Sequence, residues 1–418
     1  MSVDHAGRPI VVVTGLGLVT PLGFGVAANW AALTEGRSGI RRIARFPTDH
    51  LRTSIAGLVD LPEEQSGPVL TAAARVARIA TLAAEEALAE AGFGAAFPGP
   101  LLLGMPPIET EWPDRFAMAR ATGATTYPAL AAGAAAEPTL WPRVAFAGIG
   151  AELAARFGTR GAPIAISTAC ATGASAIQLG VEAIQRGEAG AALAIGADGT
   201  VQPEALIRFS LLSALSTRND DPARASRPFE RTRDGFVMSE GAACLVLESL
   251  DHARARGARI LGRVRGCGEK SDSFHRTRSN PDGGAIIRAM RDAIADAGLA
   301  PADIGYVNAH GTSTPENDKM ETLGLMAVFE GRPPPVSSNK SMIGHTLSAA
   351  GAIEAAFSLL TLRDQLLPPT INHVEPDPGI ALDVVPNVAR PAPVGHVLSN
   401  SFGFGGQNVC LVLSGDER

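Results

Sequence analysis

One local plan occurs twice in this chain, and it limits what the chain can fold into. Residues 166–184 read ISTACATGASAIQLGVEAI, and residues 337–360 read SSNKSMIGHTLSAAGAIEAAFSLL. Each begins as a buried strand, passes through a short polar turn and enters a helix of small residues. Two such units predict an ancient duplication, with a pseudo-twofold that brings the two turns together in space. The surrounding text alternates in the same way. Strands are expected at 10–13, 163–167, 191–195 and 243–248, and helices at 26–36, 69–92 and 171–186, the last stopped by Gly187. Near 255 the pattern restarts, with strands at 260–266, 304–307, 335–338, 382–385, 396–399 and 408–413. Helices there are expected at 284–298, 318–329 and 346–361. Alternating β and α predict a layered α/β fold with a mostly parallel sheet. The halves divide as 1–255 and 256–418. Residues 93–145 fit neither period, and recurring Pro and Gly, as in Met105-Pro106-Pro107, predict loop and short helices there.

Aromatics make up only 5% of a chain that is 46% hydrophobic, so Ala and Gly supply much of the core through close backbone packing. A formal charge of -6 gives no basic field for nucleic acid. The four cysteines, Cys170, Cys244, Cys267 and Cys410, include no CxxC pair. Their spacing suits neither a disulfide scaffold nor a zinc site, so no metal is expected. The first residues carry an acid and a proline before a short apolar run, unlike a signal peptide. No apolar run reaches the ~18 residues of a membrane span. A soluble, cytoplasmic protein is expected. The glycine-rich stretch VTGLGLVTPLG at 13–23 lacks the GxGxxG spacing and the acid that dinucleotide binding requires.

Chemistry concentrates in the two turns. Cys170 lies between a strand and a helix with only small residues around it, in Ser167-Thr168-Ala169-Cys170-Ala171-Thr172-Gly173. A sharp turn there exposes a nucleophile and aims helix N–H groups at it, favouring the thiolate and a developing oxyanion. Cys244, Cys267 and Cys410 sit in or beside strand-like apolar runs and read as packing. Of eight histidines, His5, His50, His252, His275, His373 and His396 lie in polar, charged or loop surroundings. His310 and His345 instead stand at strand-to-helix junctions, where two imidazole donors could converge on one carbonyl oxygen as an enolate forms. Lys340 shares the turn with His345, and Asp318 and Glu321, one helical turn apart, could pair with it. Phe402 and Phe404, set among glycines in Asn400-Ser401-Phe402-Gly403-Phe404-Gly405-Gly406-Gln407-Asn408, suggest a gate over an apolar tunnel.

Taken together, these strings resemble the β-ketoacyl-acyl-carrier-protein synthases of the type II, synthase II-like branch. The motifs are VTGLGLVTPLG, STACATGASAI, ALSTRNDDPARASRPFERTRDGFVMSEGA, NAHGTSTPENDKME, SSNKSMIGHTLSAAGAIE, LPPTIN and NSFGFGGQN, spread over all but about residues 60–150. The resemblance implies a thiolase-like αβαβα five-layer fold, a dimer and a decarboxylative Claisen condensation on an acyl-Cys170 intermediate. Acyl carrier protein is the implied partner. No cofactor is implied beyond the phosphopantetheine arm that arrives with it. His310 and His345 would hold the malonyl thioester carbonyl, with Lys340 and Glu321 supporting them. The N–H groups of Cys170 and Phe404 would form the oxyanion hole, Thr312 and Thr314 would bind the pantetheine arm, and Phe404 would gate. Arg75 and Arg78 are carrier-docking candidates by charge alone. Two departures stand out: Gln407 replaces the usual Thr, and GMPPIETEWP at 104–113 replaces a glycine-rich stretch near the acyl pocket. They suggest elongation of long or very long chains. The alternatives are a non-catalytic chain-length-factor-like subunit of a heterodimer, which would lack the nucleophile, and a thiolase, which would need a second catalytic Cys near the C-terminus.

Overall fold

The computed structural model describes residues 2–64, 67, 69–94, 96–123, 126, 128, 132–133 and 145–416. The first half contributes strands β1 (Val11–Thr20), β2 (Leu101–Gly104), β3 (Ile164–Ile166), β4 (Ala191–Asp198) and β5 (Gly241–Ser249). The second contributes β6 (Gly262–Ser271), β7 (Tyr306–Asn308), β8 (Val336–Ser337), β9 (His396–Phe402) and β10 (Gln407–Ser414). They join in the order β8-β7-β9-β10-β6-β1-β5-β4-β2-β3. From outer edge to centre, each half runs third, second, fourth, fifth, first strand. In each half the two outer pairings are parallel and the two inner ones antiparallel. The halves meet through an antiparallel contact of β1 with β6. The repeat seen in two stretches of sequence thus extends to the whole topology.

The sheet is mixed rather than mostly parallel. Alternation of β and α does not fix strand direction, and the returns into β5 and β10 are the antiparallel ones. The expected strand at 382–385 is also absent; Val384 makes only an isolated bridge to Val336.

Helices complete five layers. Helix α1 (Ala72–Ala91) covers β1, β4 and β5 on one outer face, and α3 (Gly284–Asp296) covers β6, β9 and β10 on the other, beside α4 (Pro315–Val328). Between the halves lie α2 (Thr172–Gln185) and α5 (Ala350–Asp364), which touch each other and strands of both halves. This is the αβαβα order implied by the resemblance. Helix α5 has no solvent-facing side, whereas α2 leaves Gln178, Glu182 and Gln185 partly exposed. Residues 350–362 are all buried, so the hydrophobic stripe of an ordinary surface helix is absent.

Small residues permit this closeness. A Cβ on Gly17 of β1 would lie 1.9 Å from the Ala83 carbonyl oxygen of α1. In the centre, a Cβ on Gly173 would lie 2.6 Å from the Ala352 nitrogen, and one on Gly351 would lie 2.6 Å from the Ala174 nitrogen. The reciprocal contacts mark the pseudo-twofold axis.

Candidate active site

Strand β3 ends at Ile166 and α2 begins at Thr172, leaving five residues to reverse direction. Ala169 takes a left-handed φ of 50° to do so, a conformation that costs a non-glycine residue strain and is kept where surroundings over-determine it. Here the Thr172 hydroxyl donates to the Ala169 carbonyl (2.5 Å) and accepts from the Thr168 N–H (2.8 Å). Cys170 is thereby presented at the N-terminus of α2.

His310 and His345 arrive from the other half. His310 follows β7, and its N–H and that of Gly311 donate to the two oxygens of Glu321 on α4 (2.8 and 2.7 Å). His345 is fixed by donating its N–H to the Val237 carbonyl (2.7 Å) and accepting from the Ser239 N–H (3.0 Å). The sulfur of Cys170 and one nitrogen from each ring lie within 4.8 Å of one another. The rings meet edge to face, with centroids 5.3 Å apart. Three side chains separated by up to 175 positions share one small space. A thiol and two imidazoles this close could also share a soft ion such as zinc, a possibility that ligand spacing along the chain does not reveal.

Electrostatics set the protonation states. Burial, then the Lys340 charge and then the neighbouring His345 hold His310 well below the usual imidazole range; burial and Lys340 do the same to His345. Both rings are neutral at pH 7 and each donates one N–H. Lys340 lies 3.4 Å from Nδ1 of His310. An ammonium can only donate, so Nδ1 accepts and Nε2 carries the proton toward the cavity. Neither ring nitrogen of His345 has a protein partner among the described residues.

Burial pushes the Cys170 thiol up to about 11, against the pull of the Phe404 backbone N–H and of Lys340. The resting sulfur is therefore a protonated thiol, not the thiolate that its helix N-terminus alone suggested. The proton leaves as acyl transfer proceeds. Phe404 sits in a turn closed by Gly403 N–H to the Gln407 carbonyl (2.7 Å) and Gly406 N–H to the Gly403 carbonyl (3.1 Å). Gly405 and Gly406 take φ of 87° and 89° there. Gln407 thus serves the turn through its backbone, which the change from Thr leaves intact. Phe402 packs edge-on against His310, with centroids 5.8 Å apart.

A cavity of about 560 Å³ opens onto these groups. Thr312 and Thr314 line it, with hydroxyls 2.9 Å apart. Thr314 also caps α4 by accepting from the Asn317 N–H (3.2 Å).

Several supporting assignments change. Lys340 is paired with Glu354 of α5, which the sequence reading missed. Burial pushes Glu354 up to about 7, against Lys340. Asp318 does not reach Lys340. It accepts the Phe229 N–H (2.8 Å) and faces Arg233 at 3.3 Å, because α4 turns that side toward the 229–233 loop. Glu321 does lie by the site, but as acceptor for the His310 turn and for Asn400 (3.0 Å). Arg75 is no docking residue: it is buried between Glu240 and Glu64. Arg78 is partly exposed and paired with Glu63.

Comparison with known proteins agrees with this geometry. Residues 8–253 match the model of the "Beta-ketoacyl synthase, N-terminal domain" family, and residues 261–374 match that of the "Beta-ketoacyl synthase, C-terminal domain". The chain is 39% identical to 3-oxoacyl-[acyl-carrier-protein] synthase 2 of Vibrio harveyi, over 96% of this chain and 98% of that one. It is 38% identical to putative polyketide beta-ketoacyl synthase 1 of Streptomyces cyaneus, over 97% and 98%. A solved beta-ketoacyl synthase from Burkholderia phymatum superposes with a TM-score of 0.85 at 34% identity, covering 98% of this chain and all of that one. A type II polyketide ketosynthase solved in complex with its acyl-carrier protein gives 0.86 at 30% identity, again covering 98% of this chain and all of that one.

Proposed function

The chain belongs to the β-ketoacyl synthase family, and from that premise we propose that it condenses an acyl thioester with malonyl-acyl-carrier protein in fatty-acid elongation, through an acyl-Cys170 intermediate. The observation that carries this reading is the meeting of one sulfur and two neutral imidazoles within 4.8 Å.

In the first half-reaction, the sulfur of Cys170 attacks the carbonyl of a carrier-bound acyl group. The oxyanion is held by the N–H groups of Cys170 and Phe404. The carrier's C–S bond breaks, and its thiol departs with the proton that Cys170 gave up. Malonyl-carrier then enters past Thr312 and Thr314. Its carboxylate–carbon bond breaks, carbon dioxide leaves, and the electron pair becomes an enolate whose oxygen takes hydrogen bonds from His310 and His345. The enolate carbon attacks the acyl carbonyl. The C–S bond to Cys170 breaks, and its sulfur recovers a proton from solvent. Loss of carbon dioxide supplies the carbanion, so neutral histidines suffice and no strong base is required. Cys suits the transfer because sulfur both accepts and releases an acyl group readily.

The same reading makes acyl carrier protein the partner, with its phosphopantetheine arm arriving as part of the substrate and no cofactor resident in the protein. It places the enzyme in the cytoplasm as a homodimer. The 104–113 departure supports long or very long acyl substrates. The intact Cys170, His310 and His345 argue against a non-catalytic subunit. Cys410, buried within β10 and paired with β6 and β9, argues against a thiolase.

The test is to incubate the protein with carrier-bound acyl groups of graded length and weigh it. The expected result is one acyl mass at Cys170, discharged as ketoacyl product when malonyl-carrier is added. A protein that gains no mass with any chain would defeat the reading, and a preference for short chains would defeat the substrate assignment alone.

A further inference from the structure

The pseudo-twofold maps the nucleophile turn onto a second turn that has no nucleophile. Thr168-Ala169-Cys170-Ala171-Thr172-Gly173-Ala174 corresponds to Thr346-Leu347-Ser348-Ala349-Ala350-Gly351-Ala352. Thr, Ala, Gly and Ala recur in place, and Ser348 stands where Cys170 stands. The backbones match as well. Ala169 has φ 50° and Leu347, before Ser348, has φ 44°. Both turns open into the central helices, and the glycines of the two turns make the reciprocal 2.6 Å approaches. The second half therefore carries its own elbow, three residues from His345.

An elbow at a helix N-terminus presents N–H groups to negative charge. In the first half that seat lies open to the cavity. In the second it is filled. The Ser348 N–H donates to Oδ2 of Asp198 (3.1 Å), the last residue of β4 in the opposite half. The other oxygen, Oδ1, accepts from the Thr200 N–H (3.0 Å) and hydroxyl (2.6 Å). Asp198 has no exposed surface, and the condensation derived above makes no use of it.

We propose that Asp198 is a positioning residue: its carboxylate occupies the anion seat of the second elbow and so holds the strained Leu347 turn, and His345 with it, in register with Cys170. A left-handed leucine persists only where its neighbours insist. His345 is bonded to 237 and 239 on one side, and Ser348 to Asp198 on the other; without the second tie the turn loses its hydrogen bond to the opposite half. The proposal rests on the condensation reading for His345's role, and its test has one arm that does not.

The charge of Asp198 also bears on the sulfur. Around Cys170, Lys340 and the Phe404 N–H favour the thiolate, while Asp198 and Glu354 oppose it; His310 and His345 are neutral. Replacing Asp198 by Asn removes one negative charge and, with an NH₂ in place of one oxygen, leaves one of the facing donors without an acceptor. Two readouts follow. The pH midpoint for iodoacetamide alkylation of Cys170, followed on its own peptide, should fall in Asp198→Asn. The rate of malonyl-carrier decarboxylation should drop about tenfold, with KM little changed, because the histidine pair is displaced rather than the arm-binding site.

A second variant guards against misfolding. Thr200→Val keeps the charge and the Ser348 tie but removes one donor to the carboxylate. Burial pushes Asp198 up to about 6 against the bonds from Thr200 and Ser348, so losing one raises it further. The acid limb of decarboxylation should then move to higher pH. Asp318, also about 6, and Glu354, about 7, titrate in the same pH range, but neither touches Thr200. An unchanged alkylation midpoint together with an unshifted limb overturns the proposal. So does a loss in Thr200→Val as large as that in Asp198→Asn, which would indicate general damage to the fold around the site. If the unmodified protein neither takes up acyl groups nor decarboxylates malonyl-carrier, the condensation reading fails, and the alkylation midpoint still decides whether Asp198 acts on the sulfur.

Discussion

At the scale of single residues, the two half-reactions fall on different side chains and can be separated. The acyl step needs the sulfur and two backbone N–H groups; the decarboxylation needs the imidazoles. His310→Ala is therefore expected to accept an acyl mass at Cys170 at near the parent rate while losing about 10²–10³-fold in malonyl decarboxylation, the usual consequence of removing an oxyanion donor. Equal loss in both steps would contradict this division. Lys340 sets a second expectation. Burial, and after it the charge of Lys340, holds His310 below the ordinary imidazole range, so in Lys340→Ala the ring gains a proton more easily and its pKa rises. The ring titration of His310, followed by NMR, should move to higher pH, and a titration that stays put would remove Lys340 from this role. The same change leaves Glu354 buried without its partner, and breaking a buried pair costs about 3–5 kcal/mol, readable in urea unfolding. Cys170 and both histidines were legible in sequence because each stands between a strand and a helix among small residues. Glu354 and Asp198 were not. Their partners are 14 and 150 positions away, and only the fold reveals which acid a buried lysine or an empty N–H meets.

Among the elements, α2 and α5 decide whether the two turns face one another. Their crossing leaves no room for a methyl group. Gly351→Ala would place a Cβ 2.6 Å from the Ala174 nitrogen, with Ala174 Cβ and Ser401 Oγ at 2.8 Å. Relief requires the helices to part, and overpacking of this kind costs about 1–3 kcal/mol. A lowered urea midpoint with an unchanged m-value is expected, together with slower acylation because the Cys170 elbow rides on α2. A variant as stable and active as the parent would show that the helices are not held by this contact. The central helices were legible as a repeated stretch of small residues. Strand direction was not, since a parallel and an antiparallel strand read alike in hydrophobic pattern. The 382–385 segment misled for a related reason: its apolar run is buried by packing beside β8, with a bridge to Val336 rather than a ladder. Residues 112–122 do form a helix, as the expectation of short helices there allowed, while most of 124–144 lies outside the described residues.

Across the whole molecule, one face is unlike the rest. Among the described residues the sheet ends at β3, and Ile164 on that edge is 45% exposed. The chain leaving β2 runs into the helix Trp112–Thr122, whose start is tied to the helix Pro203–Leu211 by the Trp112 N–H to Glu204 (2.7 Å) and by Arg208 to Glu109. These two helices present Trp112, Phe116 and Leu211 to solvent, Leu211 at 79% exposure. A strand edge and exposed large apolar side chains are surfaces that seek a partner. The homodimer proposed above would put a second copy of the chain here, since a twofold pairs edge with edge and helix with helix. Phe209, on the same helix as Leu211, lines the cavity that holds Cys170, so covering this face would also rigidify one wall of the acyl site. Light scattering should therefore report about 86 kDa, twice the 43.0 kDa of one chain. Leu211→Glu should shift the population toward monomer and weaken acyl loading together. A parent protein that scatters as 43.0 kDa at micromolar concentration would leave the face without its proposed occupant. A variant that becomes monomeric yet loads acyl groups at the parent rate would separate assembly from catalysis and show that one chain holds a complete acyl site.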